Sequence, residues 1–486
     1  MITGVFSLLA AVSSYITTDL PQPNPPSHTL EINAYFEKIR HDQGMLTAFF
    51  TAMPKGGDLH HHFSGSIYGE TYWNILNESN GWMNPRTIEV DTTGTRHKSP
   101  WEHFETLRTQ KNFDSLKQAF LRKASIKDYN ESVGPSDQHF FGTFARFSAV
   151  AGYDIPRGMQ EFKQRALAEN VSYIETMLGA PDAPIQLPAG SVWEKSMTAA
   201  SLADSVAVSD TLDKVYNALI KAGITNTAVN FCHRQDLLHQ KAGVDDGVFM
   251  LRYLLHANRN ASPLNVYRKL LISFHAASID PLIVGVNLVS PEDGEVSMRD
   301  YTLHMLMVAH LHKHYPQVKY SLHAGELATG MVRPELLRYH IRQAVMVAGA
   351  QRIGHGVDIS HEVQAIQLLE EMNKRKVAVE INLVSNEFIL KVKNEQHPVL
   401  FYYTHKVPVV ISTDDAAILR TDLTQQYILL ATRYPSLTYD DIKGIVRNSI
   451  IYSFLPPELK EQQLLKLDNS LVQFEQDIVN QKFAYL

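Results

Sequence analysis

Beyond residue 53 the chain alternates between short apolar runs and longer stretches of helical spacing. The runs are GGDLHHHF (56–63), VSYIETMLG (171–179), TNTAVNFCH (225–233), PLIVGVNLV (281–289), VKYSLHAGE (318–326), QRIGHGVD (351–358), VAVEINLVS (377–385) and VPVVISTDD (407–415). Each has a β-branched or apolar centre and ends in glycine or polar residues. Eight such strands alternating with helices predict an α/β fold of the (β/α)8 barrel (TIM barrel) type, spanning 53–450. Upstream, LEINAYFEKIRHDQGMLTAFFTAM (30–53) carries apolar residues at helical spacing and predicts one or two helices. From about residue 430 the pattern is again helical, with 451–486 as a C-terminal helical segment around the barrel.

The spacing is uneven in one place. More than 100 residues separate the first strand from the second, against roughly 30 for a βαβ unit. The excess, about 75–150, includes the turn-rich WMNPRTIEVDTTGTRHKSPWEHF. It reads as an insertion after the first strand that serves as a lid or a subunit contact.

At the N-terminus GVFSLLAAVSSY (4–15) is a short apolar run followed by small residues, and Ala11-Val12-Ser13 has the small-x-small form of a cleavage site. It is shorter than the roughly 20 residues a membrane span needs. Residues 1–20 are therefore expected to be a signal segment, and the protein exported to the periplasm or secreted. The basic n-region of a signal is missing, which leaves the cytoplasm as the alternative. PQPNPPSH (21–28) follows as a proline-rich linker.

Composition narrows the chemistry. At 486 residues and 44% hydrophobic the chain builds a large core, and its net charge of −6 offers no basic footprint for nucleic acid. Cys232 is the single cysteine, which excludes an internal disulfide and any cysteine-rich metal site. A bound metal must use histidine and carboxylate.

In a strand, residues i and i+2 share a face. His60 and His62 then point together into the barrel, and His61 points toward the helices. An H-x-H pair is weak alone, but other strands also end in ligand types: His323 on the fifth, His355 on the sixth, Asp414 and Asp415 on the eighth. All strand C-termini of a barrel open onto one face. Singly, each residue has an ordinary role. His323 could be a core histidine, Glu326 a first-turn carboxylate, Asp414 or Thr413 a helix cap, His355 and Asp358 turn residues. Converging strand ends are not explained that way. Three histidines and one aspartate suit one Zn2+ per subunit with a position open to water. Such water has its pKa lowered to about 7, and Glu326 and His355 are natural acid–base groups beside it.

At these residues the sequence resembles the adenosine deaminase family of amidohydrolase-type barrels. MPKGGDLHHHFSG, SLHAGEL, RIGHGVDI, EINLVSNEFIL and VVISTDDAAI match its motifs in order, over about residues 50–450. The MPKGG lead-in, NEQHPV and the long first loop are similar to the secreted growth-factor-like subgroup. The resemblance implies zinc on His60, His62, His323 and Asp414. Glu326 would protonate the purine N1, and His355 would orient the attacking water and help accept its proton. Asp415 would hydrogen-bond N7, with Ser64, Ser290 and Gly325 as further substrate contacts. The product would be a 6-oxopurine and ammonia. Three departures stand out: Ser64 and Asn287 where aspartates are usual, and Ser290 where glycine is. They leave the sugar specificity open. In the subgroup the N-terminal helices form a dimer contact, a role the resemblance extends to 29–52.

Three readings compete. The first is deamination of adenosine, with 2′-deoxyadenosine. The second is action on another aminopurine such as adenine; a nucleotide is disfavoured because no Arg/Lys phosphate clamp accompanies the motifs. The third is a growth-factor-like binding protein that keeps the fold with little turnover. The intact set of ligands and acid argues against the third.

Overall fold

The computed structural model describes residues 29–185, 187, 192–193, 197 and 205–480. The expected signal segment and proline-rich linker lie outside the described residues.

Eight parallel strands form the barrel: β1 (Gly56–His62), β2 (Val171–Gly179), β3 (Met250–Asn258), β4 (Ile283–Val289), β5 (Ser321–Ala324), β6 (Arg352–His355), β7 (Ala378–Ile381) and β8 (Val409–Ile411). They pair as two four-stranded halves, β1 to β4 and β5 to β8. Single bridges close the two seams, Val286 with Tyr320 and His61 with Asp414. At the second seam Asp414 N–H donates to His60 O (2.8 Å) and His62 N–H donates to Asp414 O (3.1 Å). The first and last strands are thus tied through residues of the expected metal site. The (β/α)8 expectation holds.

One strand was misplaced. TNTAVNFCH lies within a helix, Ile224–Ala242, and the third strand is Met250–Asn258. Ile224, Ala228, Phe231, Cys232, Gln235, His239 and Ala242 are buried, a spacing of three and four that is helical, not alternating. Left-handed Gly223 and Gly243 flank that helix. The true strand was disguised by Arg252 and His256 inside its apolar run. The later strands are also shorter than their apolar runs, and a helix (Leu383–Leu390) begins inside VAVEINLVS. The trimmed polar ends become the site loops.

The insertion contains a three-stranded antiparallel sheet (Glu89–Asp91, Trp82–Asn84, Glu102–His103) and helices including Ser136–Ala151. The N-terminal helices, Thr29–Ile39 and Gln43–Ala52, pack on the C-terminal ones. Phe36, Phe49 and Phe50 cluster there with Tyr439 and Phe474, so these apolar faces are buried within the chain. Among the described residues no helix is long and apolar enough to cross a membrane.

The barrel interior holds charge. Arg352 of β6 is fully buried, donates to Glu175 of β2 (2.6 Å) and to Glu380 of β7, and lies over the Phe454 ring at 3.7 Å. Removing the cation from two buried carboxylates leaves uncompensated charge, at a cost of about 3–5 kcal/mol. Arg352→Met should therefore lower unfolding free energy by roughly that amount in urea titration; a loss below about 1 kcal/mol would mean the carboxylates find another partner.

Candidate active site

The strand ends deliver the expected residues to one place, and remote hydrogen bonds set what each can do. His60 Nδ1 meets Glu380 Oε2 at 2.7 Å. A carboxylate only accepts, so Nδ1 of His60 carries a proton, and Nε2, turned inward, is the nitrogen left to bind a cation. His323 Nδ1 meets Asn287 Oδ1 at 3.0 Å. That atom also accepts from the backbone N–H of Leu288 (2.7 Å), which identifies it as the amide oxygen. His323 therefore presents Nε2 as a lone pair.

These nitrogens face further ligand-type atoms. His62 Nε2 lies 3.3 Å from His323 Nε2 and 3.3 Å from Asp414 Oδ1, and His60 Nε2 lies 3.5 Å from the same oxygen. Buried His60 Nε2 has no hydrogen-bond partner. Around a tetrahedral zinc with bonds of about 2.0–2.1 Å, neighbouring ligand atoms stand about 3.3–3.4 Å apart. Acceptors converging at that spacing fit a cation. The same place attracts positive charge: burial alone would depress the His60 pKa, but Asp414 and Glu380 outweigh it and raise it to about 10, so a proton at Nε2 competes with a cation for that position. Asp414 is held well below its ordinary range, because the neighbouring His60 and His62 imidazoles outweigh burial. Its other oxygen accepts from Ser385 Oγ at 2.6 Å.

His355 is oriented the other way. The backbone N–H of Val399 donates to His397 Nδ1 (3.3 Å), so neutral His397 carries its proton on Nε2. Burial, reinforced by the charge of Arg433, lowers the His397 pKa to about 3 and keeps it neutral. His397 Nε2 donates to Asn386 Oδ1 (3.0 Å), and Asn386 Nδ2 donates to His355 Nδ1 (2.9 Å). Burial, then the neighbouring His60 charge, lowers the His355 pKa to about 3. A neutral His355 that accepts at Nδ1 must carry its proton on Nε2, 3.7 Å from Glu326 Oε1. It presents a donor to the site.

Glu326 and Asp415 are buried carboxyls raised well above their ordinary pKa. Burial is the main cause for both, followed by the charge of Asp414. Both are thereby biased toward the neutral, hydrogen-bond-donating form. Gly65 makes room for Asp415: a Cβ there would fall 1.6 Å from Asp415 Oδ1.

A cleft of about 420 Å³ opens above this set, walled by His62, His323, Glu326, His355, Asp414, Asp415, Ser64 and Ser290. Phe140, Phe141 and Phe144 of the insertion form its apolar side, which sequence reasoning did not find. Ser290 (φ +88), His355 (φ +67) and Asp414 (φ +64) all have left-handed backbone, which costs of order 1–3 kcal/mol each in a non-glycine residue. Gly325 is not on the wall. Its N–H donates to Glu292 (3.0 Å), and at φ +76 a Cβ would meet Asp358 at 2.4 Å. Asn287 is likewise absent from the wall; its side chain holds His323.

Glu292 fixes the Glu326 turn. Its oxygens accept from Gly325 N–H, Glu326 N–H (2.8 Å) and His340, beside Arg259 at 3.6 Å. Its one trace in the sequence was an acid inside NLVSPED.

A family model described as adenosine deaminase matches residues 217–470. The chain belongs to the adenosine deaminase family. That match covers Ser290, His323, Glu326, His355, Asp414 and Asp415; His60, His62 and Ser64 are joined to it by the barrel. The adenosine deaminase of Clostridium perfringens is 31% identical over 148 residues, 30% of this chain and 41% of the relative. That of Enterococcus faecalis is 32% identical over 151 residues, 31% and 41%. The aligned stretch thus spans about two-fifths of these relatives. Among solved structures, the Arabidopsis thaliana N6-methyl-AMP deaminase has a TM-score of 0.52 at 17% identity, over 87% of this chain and 98% of that one. An amidohydrolase from Burkholderia ambifaria with bound Zn has a TM-score of 0.51 at 15% identity, over 89% and 95%. These two share the fold.

The buried pairing of Glu292 predicts a pH dependence. Burial alone would raise its pKa, but the hydrogen bond from His340, its charge and that of Arg259 hold it at about 2 against an ordinary 4.5. The folded value is the lower, so the contribution is complete above 4.5 and is lost as pH falls toward 2. Glu292→Gln should be less stable than wild type at neutral pH, with the gap narrowing below pH 4.5 in urea titrations. A gap constant down to pH 3 would contradict the pairing.

Proposed function

We propose that the protein hydrolytically deaminates adenosine, and with it 2′-deoxyadenosine, to the 6-oxopurine nucleoside and ammonia. The observation that carries this is the pairing of two buried carboxyls biased toward the neutral form, Glu326 and Asp415, with a converging set of metal-ligating atoms. A purine ring offers lone pairs at N1 and N7, and a neutral carboxylic acid can donate to each where a carboxylate cannot. Glu326 gives its proton to N1 and makes C6 electron-poor. The carboxylate so formed accepts the two protons of the water in turn as its oxygen becomes the 6-oxo group. It passes one to the amino group, which leaves as ammonia, and keeps the other. Asp415 donates to N7 and fixes the ring. His355 aims its Nε2–H at the attacking water and at the oxygen that becomes bonded to C6. His60, His62, His323 and Asp414 would hold one divalent ion, Zn2+ by donor type, which supplies Lewis acidity and lowers the pKa of water to about 7.

Several features support a nucleoside. The cleft wall, among the described residues, carries no lysine or arginine to meet a phosphate. Phe140, Phe141 and Phe144 suit a neutral ring and sugar. The named relatives are adenosine deaminases, and the Burkholderia amidohydrolase carries zinc.

The test is ultraviolet-monitored conversion of adenosine to inosine, run beside adenine and AMP. Turnover should disappear on chelation and return with zinc. Glu326→Gln, which cannot give up a proton, should lower kcat by about 10²–10⁴-fold. Retention of near wild-type kcat would remove Glu326 as the acid, and preference for AMP or adenine would replace the nucleoside reading.

A further inference from the structure

On the outside of the barrel, helix Glu295–His314 carries His310 and His314. Four residues apart, they share one helix face. Helix Ser205–Lys221 sets Asp213 against that face. One donor atom from each of the three residues lies within 4.8 Å of the other two. No residue of this group belongs to the cleft.

Each imidazole is already held. His310 is buried, with Nε2 3.0 Å from Asp213 Oδ1 and Nδ1 2.9 Å from the Tyr267 hydroxyl. His314 lies flat on the Tyr216 ring, centroids 3.9 Å apart and planes at 14°. The two histidine rings stand 5.0 Å apart. Tyr267 matters because a hydroxyl can donate or accept. It donates to Nδ1 while Nε2–H bonds Asp213. It accepts from Nδ1–H once Nε2 has lost that proton to become a ligand. The support for a ligating His310 is therefore in place in both states, as an orienting partner behind a metal-bound histidine must be.

We propose that His310, His314 and Asp213 form a second divalent-cation site, selective for borderline ions such as Zn2+ that take imidazole and carboxylate. Asp213 is 56% exposed, so water completes the coordination. The ligands come from two helices, and the ion clips helix Ser205–Lys221 to the barrel helix. It stabilises the fold by mass action in proportion to its binding.

The test compares zinc content after equilibrium dialysis for the full chain, His314→Ala and Asp213→Asn. Both changes are at exposed positions, and matching melting temperatures in chelator confirm intact folding. Wild type should bind one more zinc per chain than either variant, and zinc should raise the wild-type melting temperature by more than theirs. The difference is independent of whether the cleft is loaded. Equal zinc content in all three proteins would overturn the proposal and leave His310–Asp213 as an interhelical hydrogen bond.

Discussion

Glu380 is shared between two demands. One oxygen accepts from His60 Nδ1, and the other accepts from Ser321 Oγ (2.8 Å) and Arg352. Burial alone would push its pKa up, but the Arg352 charge and the His60 hydrogen bond bring it to about 2. The carboxylate is therefore held charged at neutral pH in a fully buried place. It can be so only because Arg352 lies beneath it, itself balanced by Glu175. The same charge fixes a His60 proton on the side away from the site. Barrel floor and metal cradle are thus one electrostatic unit, and neither is complete without the other.

The other site residues follow the same logic with different partners. Asn287 behind His323 keeps a lone pair turned inward, whereas Asn386 and His397 behind His355 turn a proton inward. Three neighbouring imidazoles of identical chemistry, His60, His323 and His355, are sorted by groups a bond or two behind them. Burial does the corresponding work for acids. Glu326 and Asp415 are pushed toward the protonated form by low dielectric and by the charged Asp414 beside them. Sharp left-handed turns at Ser290, His355 and Asp414 aim these groups from the strand ends into one volume. Such strain is tolerated where packing over-determines the conformation.

Much of this was legible along the chain. Strand ends and residue types identified the barrel and brought His60, His62, His323, Glu326, His355, Asp414 and Asp415 together, because convergence is a property of the topology. The helix at Ile224–Ala242 was misread because a short apolar segment does not reveal its period until its full length is considered. Partners behind the site were harder. Glu380 is an acid inside VAVEINLVS, and Asn386 and His397 stand in SNEFIL and NEQHPV, but nothing local tells which histidine each will meet. Asn287 was linked to sugar recognition, and only three-dimensional packing shows that it lies behind His323. The Phe140–Phe144 wall depends on how an insertion folds back, which periodicity does not encode.

The central claim is that hydrogen bonds behind the site decide which histidines take a metal. Anomalous diffraction at the zinc edge from zinc-loaded crystals tests this directly. The account predicts a peak bonded to Nε2 of His60, His62 and His323 and to a carboxylate oxygen of Asp414, with His355 Nε2 unbonded to it. A peak coordinated by His355, or one lacking His60, would contradict it.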